Sequence, residues 1–324
     1  MTLLPTKLAK LEKDVSARLL SVEEMLREEI SSEYELADIT ARHLVEAGGK
    51  RFRPLLVLLA AQFGNPDAPG VVPSAVVVEL THLATLYHDD VMDEAQVRRG
   101  APSANSRWGN TVAILSGDFL FARSSKILAD LGPEAVRVQA QTFERLVIGQ
   151  LRESVGPQPG EDPVEHHLGV LADKTGSLIA AAGRYGAMMS GVDPKITDAI
   201  AQFGECVGVV FQLSDDLLDL ESEVSGKTPG TDLREGIKTL PALLALQDPE
   251  TTDELRDLLS RPLPIESEHE LALRLLRAHP AMGQARTVLL DWADKAKKQL
   301  ATLPDVPARA AFKVLVDSVI ERKS

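Results

Sequence analysis

Apolar residues return every three or four positions through most of the chain, a period that suits helices and few other structures. Leu8, Leu11, Val15, Leu19, Val22 and Leu26 set the pattern, with charged residues between them, as a helix with one buried face requires. Similar spacing predicts helices over roughly 33–46, 74–92, 111–131, 134–153, 195–221, 238–247, 267–278 and 281–301. No convincing run of alternating apolar and polar residues interrupts them. Composition agrees: 44% of the chain is hydrophobic but only 4% aromatic, with Ala and Leu dominant. Strands favour β-branched and aromatic residues, so an all-α fold is expected.

The 324 residues allow one large domain or two average ones. The breaks between helical segments, Gly64 to Pro73, Gly156 to Pro163, Ser222 to Gly230 and Arg261 to Pro264, are rich in Gly and Pro. No internal repeat or long low-complexity linker divides the chain, so a single domain over residues 1–324 is expected. Gly48-Gly49 predicts a helix C-cap, and Pro54 suits the first residue of the next helix.

Charge and cysteine content exclude some functions. With 35 Lys and Arg against 48 Asp and Glu, the net charge is −13, which argues against nucleic acid as a partner. One cysteine, Cys206, excludes an internal disulfide and suits a reducing cytoplasm; its apolar helical setting predicts a core position. The longest stretch without a charge, Pro54 to Pro66, has 13 residues, too short to span a bilayer. Met1 to Lys10 has no apolar run before its first charges, so neither a transmembrane segment nor a secretory signal is expected.

Two aspartate motifs carry the most chemistry. The first, His88-Asp89-Asp90-Val-Met-Asp93, ends an apolar helical run and is followed by Arg98-Arg99-Gly100. Asp89 and Asp93 are four apart and share a helix face, where paired carboxylates repel unless a cation lies between them. The second, Phe211-Gln212-Leu-Ser-Asp215-Asp216-Leu-Leu-Asp219, repeats the spacing after Val207-Gly-Val-Val, with Gln212 on the same face. One such motif could be a solvated helix end. Two of them, on strongly apolar helices, match the way helical bundles build metal sites. Oxygen ligands without cysteine imply Mg²⁺, which takes one or two carboxylates together with substrate phosphates and water. Basic residues lie nearby in sequence: Lys50, Arg51 and Arg53 after a double glycine, Arg98-Arg99, Lys174-Thr175, and Lys227 in the polar loop after the second motif. Their placement suggests clamps for a polyphosphate.

Gly48-Gly49-Lys50-Arg51-Phe52-Arg53-Pro54, the two aspartate motifs, Gly117-Asp118-Phe119-Leu120 and Lys174-Thr175 fall in an order that resembles the trans-isoprenyl (polyprenyl) diphosphate synthase family, from about Leu36 to the C-terminus. The resemblance implies a single large helical bundle around a deep central cavity, usually a cytoplasmic homodimer. It implies an Mg²⁺-dependent prenyltransferase that joins an allylic diphosphate head-to-tail to isopentenyl diphosphate and releases pyrophosphate. About three Mg²⁺ ions would bind with the substrate diphosphate. By resemblance, Asp89 and Asp93 hold Mg²⁺ on the allylic diphosphate and Asp215 holds another ion, while Asp90, Asp216 and Asp219 orient waters or ligands. Arg98, Lys174, Thr175, Gln212 and Lys227 match positions that grip the allylic diphosphate. Lys50, Arg53, His82 and Arg99 match the isopentenyl diphosphate site.

Product length follows from what lines the cavity. Family members with short products carry bulky aromatics just before the first motif, whereas Ala84 and Thr85 are small, as are Thr81 and Val78 deeper down. The first motif also lacks the two-residue insertion seen in bacterial farnesyl diphosphate synthases. These features imply a long-chain all-trans product, hexaprenyl to decaprenyl, with Phe143 or Val147 as possible caps lower down. One departure concerns Gly236-Ile237-Lys238-Thr239-Leu240-Pro241, where Ile237 takes the usual lysine position and Lys238 stands one helical step away. No diphosphate contact is carried over there.

Other functions share parts of this pattern. A shorter-chain geranylgeranyl or farnesyl diphosphate synthase differs only in product length. A class I terpene cyclase usually pairs its aspartate motif with an Asn/Ser/Glu triad and is richer in aromatics. A di-iron bundle would use Glu79-x-x-His82, with Glu266-x-x-His269 as a second copy, although the latter reads as a surface helix start. A non-catalytic subunit of a heteromeric synthase would usually have damaged aspartate motifs. His88 and His166-His167 read as structural or solvated residues.

Overall fold

The computed structural model describes residues 4–221 and 229–321, and their secondary structure is almost wholly helical. In chain order the helices are α1 (Leu4–Glu29), α2 (Glu35–Glu46), α3 (Phe52–Ala60), α4 (Val71–Met92), α5 (Ala104–Trp108), α6 (Asn110–Leu131), α7 (Pro133–Val155) and α8 (Pro163–Leu171). They continue with α9 (Ser177–Met189), α10 (Pro194–Glu221), α11 (Thr231–Glu235), α12 (Leu240–Gln247), α13 (Asp253–Ser260), α14 (Glu266–Ala278), α15 (Ala281–Ala301) and α16 (Pro307–Ile320). A short π-helix, Ala172–Gly176, joins α8 to α9. The apolar period placed the long helices within a few residues. It misses α5, α8, α9, α11, α13 and α16, with α3 expected only from Pro54, and it misses a small antiparallel hairpin of β1 (Val97–Arg98) and β2 (Ala101–Pro102), too short to show alternation. Pro54 stands third in α3, not first.

The described residues form two compact units. The first comprises those within Met1–Phe143, Leu178–Ala201 and Thr302–Phe312. There α4 packs along α6, with α1 and α3 against it, and its interior positions from Val71 to Tyr87 are mostly buried. Buried polar ties fix the arrangement. Tyr87 Oη donates to the Thr40 carbonyl and accepts from Leu44 N at 3.3 Å, joining α4 to α2, while Tyr185 Oη donates to Ala135 O at 2.8 Å. A buried phenol needs such a partner to offset its desolvation.

The second unit comprises the described residues of Glu144–Ser177, Gln202–Ala301 and Lys313–Ser324. Here α12 packs on α15 and α8, and α14 lies against α11, α13 and α15. Ser214 Oγ donates to Val319 O at 2.9 Å, pinning α10 to α16. α10 is the one described helix long and apolar enough, by length and composition, to cross a membrane; 56% of its apolar window is buried inside the protein, as in a core helix. Cys206 on α10 is half-buried and not the full core residue that its apolar neighbours suggested.

Candidate active site

In the first unit α4 presents the first motif on its last turns. Asp93 caps the helix, donating its N–H to Asp89 O at 2.8 Å, so both carboxylates lie one turn apart at the helix end. Asp89 is half-buried and Asp93 exposed. Asp90 is fully buried, and Arg98 Nε donates to its Oδ1 at 2.6 Å from the hairpin strand β1. Its Oδ2 has no hydrogen-bond partner among the described residues. Burial raises its pKa, opposed by the Arg98 guanidinium. The middle aspartate therefore holds Arg98, and the outer two form the pair expected to receive a cation.

A second set of expected residues comes together around Glu79. Gly48, at φ +89°, starts the turn out of α2, and Arg51 follows in a left-handed conformation at φ +47°. A methyl group on Gly49 would sit 3.0 Å from the guanidinium nitrogens of both Arg51 and Arg99, so glycine gives these side chains their room. Arg99 is also left-handed, at φ +53°, and donates to the carbonyls of Leu44, at 2.9 Å, and Gly48. Burial, partly offset by Glu79, lowers the Arg53 pKa to about 10. Burial also lowers that of Arg99, and Glu79 again opposes the shift. His82, one turn beyond Glu79, is half-buried; burial and then the charges of Arg53, Arg99, Arg98 and Arg51 push its pKa well below the ordinary value. Arg53, His82 and Arg99 thus lie near enough to act on one another's charge, and Lys50 is exposed on the same segment as Arg53. Glu79-x-x-His82 gathers no further carboxylate or histidine into a metal cluster among the described residues, and Glu79 Oε1 instead accepts from Arg51 at 2.9 Å.

The chain-length candidates are tightly enclosed. Ala84 is fully buried and Thr85 nearly so, with Thr85 Oγ1 donating to His82 O at 2.8 Å. Opposite them, a methyl group on Gly117 would run into His88 and the Ala84 carbonyl. Phe143 packs edge-to-face on Phe121 at 4.6 Å, while Val147 is exposed.

In the second unit α10 carries Gln212, Asp215, Asp216 and Asp219. Gln212 Nε2 donates to Asp216 Oδ1 at 3.2 Å, whereas Asp216 Oδ2 is buried without a hydrogen bond, 3.5 Å from His167 Nε2. Asp219 accepts from Thr231 N at 3.2 Å and Asp232 N at 3.3 Å, capping α11. Asp215 and Asp219 are half-exposed. Lys174 and Thr175 lie in the π-helix, a distortion often found at functional sites. Asp173 bridges Arg145, at 2.9 Å, and Arg152, at 3.4 Å, and Lys174 pairs with Glu153. A methyl group on Gly149 of α7 would lie 2.6 Å from Lys174 N, so glycine permits the close approach that sets this turn. Lys227 lies outside the described residues.

Two residues near the second motif were missed in the sequence. Asp232 is pushed up to about 7 by burial and then by Asp219 and Asp216. His167, which the sequence reads as structural or solvated, stands with Nε2 3.5 Å from Asp216 Oδ2. Their only sequence signal was polarity near a glycine-rich break and a paired histidine. Glu266-x-x-His269 does begin α14, but His269 is buried, Nε2 lying 2.8 Å from Gly230 O. Gly236 ends α11 in a left-handed conformation and α12 begins at Leu240, so Ile237 and Lys238 lie between helices and not one step apart on one.

Among the described residues no three His, Cys, Asp or Glu side chains form a ready-made metal cage. The outer carboxylates instead occur as helix-end pairs, with Asp93 exposed and Asp89, Asp215 and Asp219 half-exposed. That donor set fits Mg²⁺, which completes its shell with phosphate and water.

Residues 35–275 match the model of the polyprenyl synthetase family. The chain is 50% identical over 313 residues to a nonaprenyl diphosphate synthase of Mycobacterium tuberculosis, covering 95% of this chain and 93% of the relative. It superposes with a TM-score of 0.87 on a geranylgeranyl pyrophosphate synthase from Corynebacterium glutamicum complexed with calcium and isoprenyl diphosphate, at 45% identity and 97% coverage of both chains. A decaprenyl diphosphate synthase from Rhodobacter capsulatus gives 0.88 at 34% identity, covering 98% of this chain and 100% of that one.

Proposed function

The chain belongs to the polyprenyl synthetase family, and on that premise we propose that it elongates an allylic diphosphate with isopentenyl diphosphate to a long-chain all-trans product in the hexaprenyl to decaprenyl range. The observation that carries the reading is the pair of helix-end aspartate motifs, the first with Arg98 bonded to its middle carboxylate. Asp89 and Asp93 supply one set of Mg²⁺ ligands and Asp215 another, with Asp90, Asp216 and Asp219 holding neighbouring groups in place. About three ions in all would bring roughly six positive charges to offset the aspartates of the two motifs. When bound, they act as Lewis acids on the departing diphosphate. Arg98, Lys174, Thr175, Gln212 and Lys227 grip the allylic diphosphate and stabilise negative charge as the C–O bond breaks. Lys50, Arg53, His82 and Arg99 hold isopentenyl diphosphate so that its double bond meets the allylic cation. The released pyrophosphate then takes the final proton, and the protein needs no nucleophile of its own.

Small Ala84 and Thr85 support a long product, as does the nonaprenyl diphosphate synthase relative. We place the two units in one catalytic domain and the enzyme in the cytoplasm as a homodimer, for which exposed Ile114 and Leu115 on α6 offer apolar surface. Replacing Asp89 with Ala tests the reading: isopentenyl incorporation is expected to vanish, and full activity would overturn it.

A further inference from the structure

Arg51 lies within the basic segment after the double glycine, yet its side chain is committed to the protein. Nε and Nη2 donate to Glu23 of α1, Nη1 donates to Glu79 of α4 at 2.9 Å, and Nη2 donates to Val45 O at 3.2 Å. Arginine has five N–H donors, so little is left for a substrate anion. Arg53 differs: its Nε is buried without a hydrogen-bond partner among the described residues.

The Arg51 backbone is left-handed, a conformation that a residue with a Cβ keeps only when its surroundings hold it. What holds it here is a buried ion pair, with the Arg51 side chain 7% exposed and Glu79 2% exposed. Breaking such a pair leaves an uncompensated buried charge. Glu79 is also the anion acting on both Arg53 and Arg99. Arg51 Nη1 and Arg99 Nη1 also both flank Gly49, each 3.0 Å from where a Cβ would stand, so the segment that Arg51 holds is the one against which Arg99 packs.

We propose that Arg51, locked between Glu23 and Glu79, is the positioning residue of the isopentenyl diphosphate site. It holds the turn so that Lys50 and Arg53 meet the diphosphate while Arg51 itself does not, and it makes α1 part of the site through Glu23. This rests on the assignment of Lys50, Arg53, His82 and Arg99 to isopentenyl diphosphate.

Steady-state kinetics of the full chain with each substrate varied in turn, in Arg51→Gln, Arg51→Lys, Glu23→Gln and Arg53→Gln, provide the test. Arg51→Gln is expected to raise the KM for isopentenyl diphosphate about tenfold or more, with the allylic KM within about twofold of the parent. Arg51→Lys keeps the charge but loses the planar fork, so it stays defective in the same direction. Glu23→Gln shifts the same KM less, and it keeps the question decidable if Arg51→Gln fails to fold. A lower kcat with both KM values unchanged, in Arg51→Gln or in Glu23→Gln, marks a merely structural role and overturns the proposal. If Arg53→Gln leaves the isopentenyl KM unchanged, the site assignment itself fails and the proposal falls with it. If Arg53→Gln raises that KM while the Arg51 variants do not, only the positioning role fails.

Discussion

Arg98 reaches back to Asp90, its guanidinium 2.6 Å from Oδ1, and ties the hairpin after α4 to the middle carboxylate of the first motif. Asp90 is fully buried, so the bond fixes Arg98 while Asp89 and Asp93 stay at the helix end for a cation.

The three aspartates are therefore unequal. Asp90→Asn should lower kcat/KM about tenfold by loosening Arg98, the scale of a group that orients ligands without binding the ion itself. Asp89→Ala and Asp93→Ala should lose far more. Equal losses in all three would show that Asp90 serves directly as a ligand.

Gly149 should be intolerant of the smallest addition. A helical Gly→Ala change ordinarily stabilises, but here the new methyl would press on Lys174 N at 2.6 Å. Gly149→Ala should raise the KM for the allylic diphosphate about tenfold or more, since a small misplacement of a positioning group is costly. An unchanged allylic KM with a raised melting temperature would contradict this.

His82 should stay neutral where most histidines titrate. Burial and the surrounding arginines depress its pKa, so its contribution to stability is intact above about pH 6.5 and is lost as the pH falls, because the unfolded chain takes up the proton first. His82→Gln should therefore lose less melting temperature than the parent between about pH 7.5 and 5.5. Equal acid sensitivity would argue against the depressed pKa.

Ala84→Phe should shorten the product. Ala84 is wholly enclosed, so the larger side chain should also cost stability. Product mass separates the two effects, because it does not depend on how much enzyme is folded. Unchanged product length in active enzyme would remove Ala84 from chain-length control.

Helices with a clean apolar face were legible in the sequence because burial imposes the period: Leu11, Val15, Val22 and Leu26 of α1 are all buried. α9 was missed because its small residues, such as Ala180-Ala181-Ala182-Gly183, blur polar and apolar faces. In the site, residue type identified the aspartates and basic clusters, while the partners stayed hidden. Nothing local tells Arg51 from Arg53, since the difference depends on Glu23 and Glu79, each 28 residues from Arg51 in sequence. His167 and Asp232 escaped for the same reason, as their character comes from packing near Asp216 and Asp219.

The most direct measurement is elongation. The protein is incubated with Mg²⁺ and isopentenyl diphosphate, with geranyl, farnesyl or geranylgeranyl diphosphate supplied separately, and the products are weighed. The expected result is a polyprenyl diphosphate in the hexaprenyl to decaprenyl range with at least one primer, abolished when the metal is chelated. No elongation with any primer, or elongation undiminished by chelation, would contradict the central claim.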